Sequence, residues 1–437
     1  MKKILYGIAI LLCGTRICFA QLPNKQVISL DSVFILAETN STNLKLSESL
    51  VTMKEAAVDV AGNLRLPSVD LGISATCYGD GIILDRNFTN ATKAPIPDFG
   101  NEFSLQASYV VFAGGSISKT IEKAKLEAQV EVLSHQKNLV DIRFLVAGNY
   151  LDLYKLYNQK TAFEKNIEQT DEVIRQVKAK LGAGMALDND LTRYELLRKN
   201  LELALIEIEN NISIINQHLV ITLGLPEETI IIPDSSVQHW GSQSMADNNF
   251  LKKALDNRQD IKIRELKKEI AGNGIALAKA DLYPSVTVIG ADYLNGPILV
   301  EVLPINKNLN YWFVGVSLKY QIGALYKSGK NITLAKNALS TAKLACDAEL
   351  EQTKTAIHVA YIRYSEAYEK LATYEKSFEL ARQNYQVITN RYQNDLALIT
   401  EMLDASNMKL NAELQVINAK LDVAYHYFNL LRETGTL

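Results

Sequence analysis

Three acids, Glu401, Asp404 and Asp190, are the candidate site residues of this chain. Glu401 and Asp404 are three positions apart, so a helix carries both on one face, a turn from each other. Asp190 stands 211 positions before Glu401 (401 − 190) in a run of ungapped correspondences described below. Carboxylates gathered on one face attract cations; the competing reading is that they are solvated charges of a helix surface. Other chemistry has little support. The five histidines, His135, His218, His239, His358 and His426, lack metal-ligand spacing. Gly182-Ala183-Gly184 lacks the strand-to-helix setting of a dinucleotide loop, and no phosphate loop or nucleophile elbow occurs. Asp188-Asn189-Asp190 opens like a calcium loop without its glycine or distal glutamate. The sequence predicts no enzyme, no metal and no cofactor.

The elements that must carry these acids are long helices, and they occur twice. At the 211-residue offset Tyr150 matches Tyr361, Tyr157 matches Tyr368, Glu202 matches Glu413, Leu203 matches Leu414 and Ile206 matches Ile417. Each half reads as a helix, a strand pair and a helical hairpin. The first repeat covers 21–224, with a helix over 32–64, a strand pair in 67–112 and a hairpin in 115–224. The second covers 250–437, with strands in 284–322 and a hairpin in 328–432. Residues 225–249 connect the two. The hairpins turn at Gly182 and Gly184 in the first half and between Tyr392 and Asp395 in the second. A helix over 116–181 would be on the order of 100 Å long at 1.5 Å per residue. Its apolar residues recur at coiled-coil intervals, so it must pack on other helices.

Between helices the period changes from about 3.6 to two. Val69, Leu71, Ile73, Ala75 and Cys77 alternate with polar or small residues, as do Phe103, Leu105, Ala107, Tyr109 and Val111. Trp312, Val314, Val316, Leu318 and Tyr320 repeat the pattern; the strand after Pro284 is less regular because Ile289 breaks it. Long loops over 79–100 and 295–308 join the strands.

The chain has 437 residues, 48% hydrophobic and 22% charged, with a net charge of −3, which argues against a nucleic-acid partner. Lys2 and Lys3, an apolar run from Ile4 to Leu12 and Cys18-Phe19-Ala20 predict a signal peptide over 1–20. The remainder has no apolar run long enough for a spanning helix. Two cysteines remain after cleavage, Cys77 as an apolar strand residue and Cys346 as a buried helix residue.

An exported chain with two-faced strands has a membrane problem to solve. Four strands are too few to close a barrel, and a bilayer tolerates no open sheet edge. Several copies contributing four strands each resolve it, apolar faces to lipid and polar faces to a pore; three copies give twelve strands. A sheet packed inside an ordinary sandwich is the competing reading.

In these features the mature chain resembles the TolC-like outer-membrane efflux proteins. Ser29-Leu30-Asp31 through Asn40 is similar to that family's first helix. Leu66-Pro67-Ser68 and Tyr283-Pro284-Ser285 match its helix-to-strand prolines, and Phe112-Ala113-Gly114-Gly115 its strand-to-helix corner. Arg258-Gln259-Asp260-Ile261 matches the opening of its second repeat, with Gln259 in place of proline. The resemblance implies a mainly α protein with membrane β: a homotrimer with a twelve-strand barrel in the outer membrane and a twelve-helix periplasmic tunnel. It implies an exit channel for small toxic molecules or polypeptides in a tripartite efflux or type I secretion system. Its partners would be a periplasmic adaptor, an inner-membrane transporter and outer-membrane lipid. The alternative is a periplasmic coiled-coil adaptor or scaffold. The resemblance places Glu401 and Asp404 at a constriction, with Asp190 in the first tip. Two departures follow: the family's tip glycine is Asp395 here, and the arginine that bonds the first-tip acid is Ala397, leaving Arg193 as a candidate replacement. Tyr392 occupies an aromatic tip position. The 225–249 connector would form an equatorial belt around the tunnel.

Overall fold

A computed structural model describes residues 24–234, 250–299 and 305–437; the signal peptide and the connector beyond residue 234 lie outside them. In chain order the elements are β1 (Asn24–Ile28), α1 (Leu30–Asn40), α2 (Thr42–Gly62), β2 (Ser68–Cys77), β3 (Gly81–Ile83), β4 (Thr92–Ala94) and β5 (Phe99–Ala113). There follow α3 (Ser116–Gly182), α4 (Asp188–Leu223), β6 (Thr229–Pro233), α5 (Phe250–Asn257), α6 (Gln259–Ala280), β7 (Ser285–Gly296), β8 (Leu309–Lys319), α7 (Ala324–Gln393) and α8 (Ile399–Thr434). The repeat is visible in the bounds themselves. The end of α3 and both ends of α4 recur 211 residues later, at 393 (182 + 211), 399 (188 + 211) and 434 (223 + 211). The expected first helix is two helices, because Ser41 leaves helical geometry at ψ 120°.

The chain divides into two compact units, each drawing on both halves: residues 46–137 with 258–353, and residues 24–45, 138–257 and 354–437. The first contains a four-stranded antiparallel sheet in the order β2-β5-β7-β8. Opposed residues share a face, so the register sorts the side chains. Val69, Leu71, Ile73, Trp312, Val314, Val316 and Leu318 fall on one face and are 65–73% exposed. Ser68, Asp70, Ser74 and Thr76 on β2 and Glu102, Ser104, Gln106 and Ser108 on β5 occupy the other. β7 departs from this sorting in two places. Ile289 lies on the polar face opposite Ser108, and Asp292 lies on the apolar face between Leu105 and Trp312. Register is set by the whole strand, so a single residue cannot choose its side. A bulge between Val110 and Phe112 moves Phe112, and not the expected Val111, opposite Val286 on the apolar face. The loop over 79–100 contains the small β3–β4 pair, which the sequence did not announce.

At the strand-to-helix corner Gly114 has φ +62°, and a Cβ there would meet the Ala280 carbonyl oxygen at 2.4 Å. Only glycine fits that approach. Cys77 is exposed on the sheet; Cys346 is half-buried rather than buried, its thiol donating to the Arg264 carbonyl oxygen at 3.3 Å.

In the second unit the long helices pack side by side. Lys160 pairs with Glu209 at 2.6 Å across α3 and α4, Arg432 with Asp141 at 2.8 Å across α8 and α3, and Lys420 with Glu375 at 3.7 Å across α8 and α7. β1 and β6 form a parallel pair, with Asn24 opposite Thr229. The buried Tyr150 hydroxyl ties their ends, donating to the Ile28 carbonyl at 2.7 Å and accepting from the Asp234 amide at 2.9 Å. Asn40, the last residue of α1, donates to the Leu223 carbonyl at 2.9 Å and so satisfies the end of α4. Val33, Val146, Leu153, Leu219 and Phe428 fill the core around this point.

Candidate functional site

The two hairpin turns are built alike. Both long helices end with a Schellman pair of hydrogen bonds: Met185 N to Lys180 O at 2.8 Å and Gly184 N to Leu181 O at 3.0 Å in the first tip. The second tip has Leu396 N to Arg391 O at 2.8 Å and Asp395 N to Tyr392 O at 3.2 Å. This motif needs one left-handed residue. Gly184 supplies it at φ +75°, and Asp395, its counterpart (184 + 211), supplies it at φ +59°. Aspartate tolerates this region better than most side chains but at a cost of about 1 kcal/mol relative to glycine. The departure from glycine therefore changes the side chain and keeps the backbone. Gly182 is the last residue of α3 and is exposed.

The Asp395 carboxylate pairs with the Lys180 ammonium of the first tip. Lys180 also donates to the Tyr392 carbonyl at 3.3 Å and lies over the Tyr392 ring at 4.6 Å from its centroid. Lys180 thus ties the two tips of the chain together. Sequence reasoning missed it, although Lys180 and Arg391 (180 + 211) are both basic at the same repeat position. Arg391 turns inward on its own tip, donating to the Leu396 carbonyl at 3.0 Å. Arg193, the expected substitute latch, is exposed and makes no ion pair among the described residues.

Two of the three acids close the starts of the return helices. The Leu187 amide donates to Asp190 Oδ2 at 3.1 Å and the Leu398 amide to Glu401 Oε2 at 2.9 Å. Leucine side chains cannot accept a hydrogen bond, so each start is half a capping box, made by the third-position carboxylate alone. A negative charge there also suits the positive end of the helix. Glu401 is exposed with its second oxygen uncommitted; Asp190 is half-buried. Asp404 is exposed one turn further along α8 and has no hydrogen bond or ion pair among the described residues.

Beneath the turns Val173, Ile174, Val177, Tyr194, Tyr392 and Met402 form a buried cluster from both hairpins. Burial pushes the Tyr392 phenol up, nearby Lys180 opposing it and Asp190 and Asp395 adding to it. Burial likewise raises Tyr194, whose hydroxyl has no hydrogen-bond partner among the described residues. Further from the tips Lys409 is buried, donating to Gln169 Oε1 at 3.0 Å and lying 4.8 Å from the Tyr385 ring centroid. Burial lowers its pKa. Tyr392 is thus a core residue of the tip as well as the seat of the Lys180 bridge.

Residues 250–436 match the family model described as outer membrane efflux protein. The outer membrane efflux protein BepC of Brucella suis biovar 1 (strain 1330) is 19% identical over 387 residues, 86% of this chain and 81% of that protein. Toxin and drug export protein A of Aggregatibacter actinomycetemcomitans is 20% identical over 397 residues, 87% of this chain and 81% of that protein. Among solved structures, the outer-membrane channel OprN superposes with a TM-score of 0.77 at 17% identity, covering 93% of this chain and 90% of OprN. The outer membrane protein VceC of Vibrio cholerae gives 0.76 at 17% identity, covering 93% of this chain and 96% of VceC.

Proposed function

We propose that this chain is a TolC-like outer membrane efflux protein, the exit channel of a tripartite efflux or type I secretion system. One observation carries the reading. The four-stranded sheet has an exposed apolar face, a polar face and two edge strands, β2 and β8, without partners on their outer sides among the described residues. A soluble adaptor would leave that face in water and those edges open to aggregation. Three copies joined edge to edge give each strand a neighbour, lipid on one side and an aqueous pore on the other. No helix among the described residues is long and apolar enough to cross a membrane.

Residues 1–20 are removed on export, and the two repeats, 21–224 and 250–437, each contribute one strand pair and one hairpin to the assembly. The hairpins extend into the periplasm, where an adaptor and an inner-membrane transporter deliver small toxic molecules or polypeptides. No step of this function requires catalysis, a metal or a cofactor. Glu401 and Asp404 line the tip aperture, and Asp190 contributes from the first tip. Threefold symmetry turns each lumen-facing acid into a ring of carboxylates that favours cations. Support comes from the exposure of Glu401 and Asp404 and from Asp404 having no hydrogen bond or ion pair among the described residues.

The channel reading is tested by membrane fractionation and by conductance of the purified protein in planar bilayers; it expects a detergent-requiring trimer that conducts. The acids are tested by Glu401→Gln with Asp404→Asn. Glutamine can still accept the Leu398 amide, so the helix start is retained while the charge is lost. Cation selectivity should fall severalfold in reversal-potential measurements. Unchanged selectivity would remove these acids from the aperture.

A further inference from the structure

At the loop end of the four-stranded sheet a cavity of about 500 Å³ opens on the polar face. Its wall includes Ser74, Glu102 and Asn295, which the strand register sets in one row across β2, β5 and β7. Two tyrosine rings border it. Tyr78 lies over Gly100 so closely that a Cβ on Gly100 would stand 2.5 Å from Tyr78 Cε2, and glycine makes room for the ring. Tyr311 stacks on Tyr293 with ring centroids 5.4 Å apart and planes 24° apart. Glu102 is exposed and makes no hydrogen bond or ion pair among the described residues. Among the residues of the four strands, the one basic side chain on this face is Lys319, at the far end of β8 opposite Ser285.

We propose that this cavity binds organic cations, quaternary ammonium ions foremost, with the charge toward Glu102 and the alkyl groups against the Tyr78 and Tyr311 rings. An unpaired carboxylate repels anions and offers a neutral apolar solute nothing. A small inorganic cation keeps its water and gains little from the rings. A quaternary ammonium ion is weakly hydrated and suits both an aromatic face and a carboxylate. The strands, not the loops, carry Glu102 and Tyr311, so the site is organised before the ligand arrives. The inference rests on the channel reading, under which this face lines the pore and the cavity stands at its outer mouth. It adds a class of solute for which the exit end has its own weak contact, favourable enough to enter and loose enough to leave.

Isothermal titration of the detergent-purified, full-length protein with choline and with 3,3-dimethylbutanol, its uncharged isostere, tests the site. The wild type should bind choline at least about tenfold more tightly than the isostere, and Glu102→Gln and Tyr311→Leu should each weaken choline by several-fold to about tenfold. Equal affinity for the two probes, no choline binding, or choline affinity untouched by both substitutions overturns it. The two-probe comparison uses the wild type alone, so it decides even where a variant fails to fold. A detergent-requiring trimer that does not discriminate the probes overturns the site alone. Recovery as a soluble monomer overturns the channel reading and the site's place at a pore mouth together.

Discussion

The two hairpins have the same backbone and different side-chain ties. Gly184 and Asp395 hold the same left-handed position, and Asp190 and Glu401 accept the same amide at the start of the return helix. Yet Lys180 reaches across to the other tip while Arg391 stays on its own. Tyr150 is buried and holds β1 to β6, whereas Tyr361 is partly exposed and packs on Phe250 at 5.7 Å between ring centroids. Duplication fixes where the chain turns; the neighbours then decide what each equivalent residue does. An equivalent pair is evidence for shared geometry and poor evidence for shared function.

The largest expected contrast lies at the tyrosines. Tyr150→Phe leaves the Ile28 carbonyl and the Asp234 amide without their bonds to the hydroxyl and should cost about 2 kcal/mol. Tyr361→Phe should stay within about 0.5 kcal/mol. Urea unfolding followed by circular dichroism measures both. An equal loss at Tyr361 would mean that a neighbouring copy completes it, and the contrast would vanish.

The tips come next. Gly184→Ala should cost about 1 kcal/mol, because alanine must adopt a positive φ. Asp395→Gly relieves the same strain and loses the Lys180 pair, whose carboxylate is well exposed, so its net effect should lie within about 0.5 kcal/mol. The double variant with Lys180→Met separates the two terms: if Asp395→Gly changes nothing further once Lys180 is gone, the pair and not the backbone governs this position.

The smallest effect is pH-dependent. His426 lies at the repeat position of Ile215 (426 − 211), and burial holds its pKa below the ordinary 6.5, with Asp422 opposing. The fold favours the neutral ring, so this contribution is complete above about pH 6.5 and erodes as pH falls through that value toward the lower folded pKa. Melting temperature should therefore drop on acidification from pH 7.5 to 5.0, and less steeply in His426→Leu, which restores the apolar side chain of the first repeat. A parallel decline in both proteins would assign the acid sensitivity to other groups.

The sequence made the periodic parts legible. Alternation marked three of the four sheet strands and, less regularly, the one after Pro284, and the Gly-rich and Asn-Asp turns marked both tips, because those signals are local. Contacts set by distant residues were not readable. β1 and β6 pair across some 200 residues of chain, and five residues of each give no alternation to compare. The bulge at Val110 shifts a pattern that otherwise continues unbroken in sequence. At the tips the acids were found and their capping role was not, since Leu187 and Leu398 are not cap-forming residue types. Lys180 stayed hidden because its partner belongs to the other repeat.

The matching bounds of the two return helices limit how such a chain can change length. Inserting one residue into α4 or α8 would turn everything beyond it by about 100°, carrying each seam residue out of contact. Insertions that survive should come in sets of about seven, on both arms of a hairpin together. Deletions should follow the same rule, so that the paired helices lengthen or shorten in whole steps while their tips stay level.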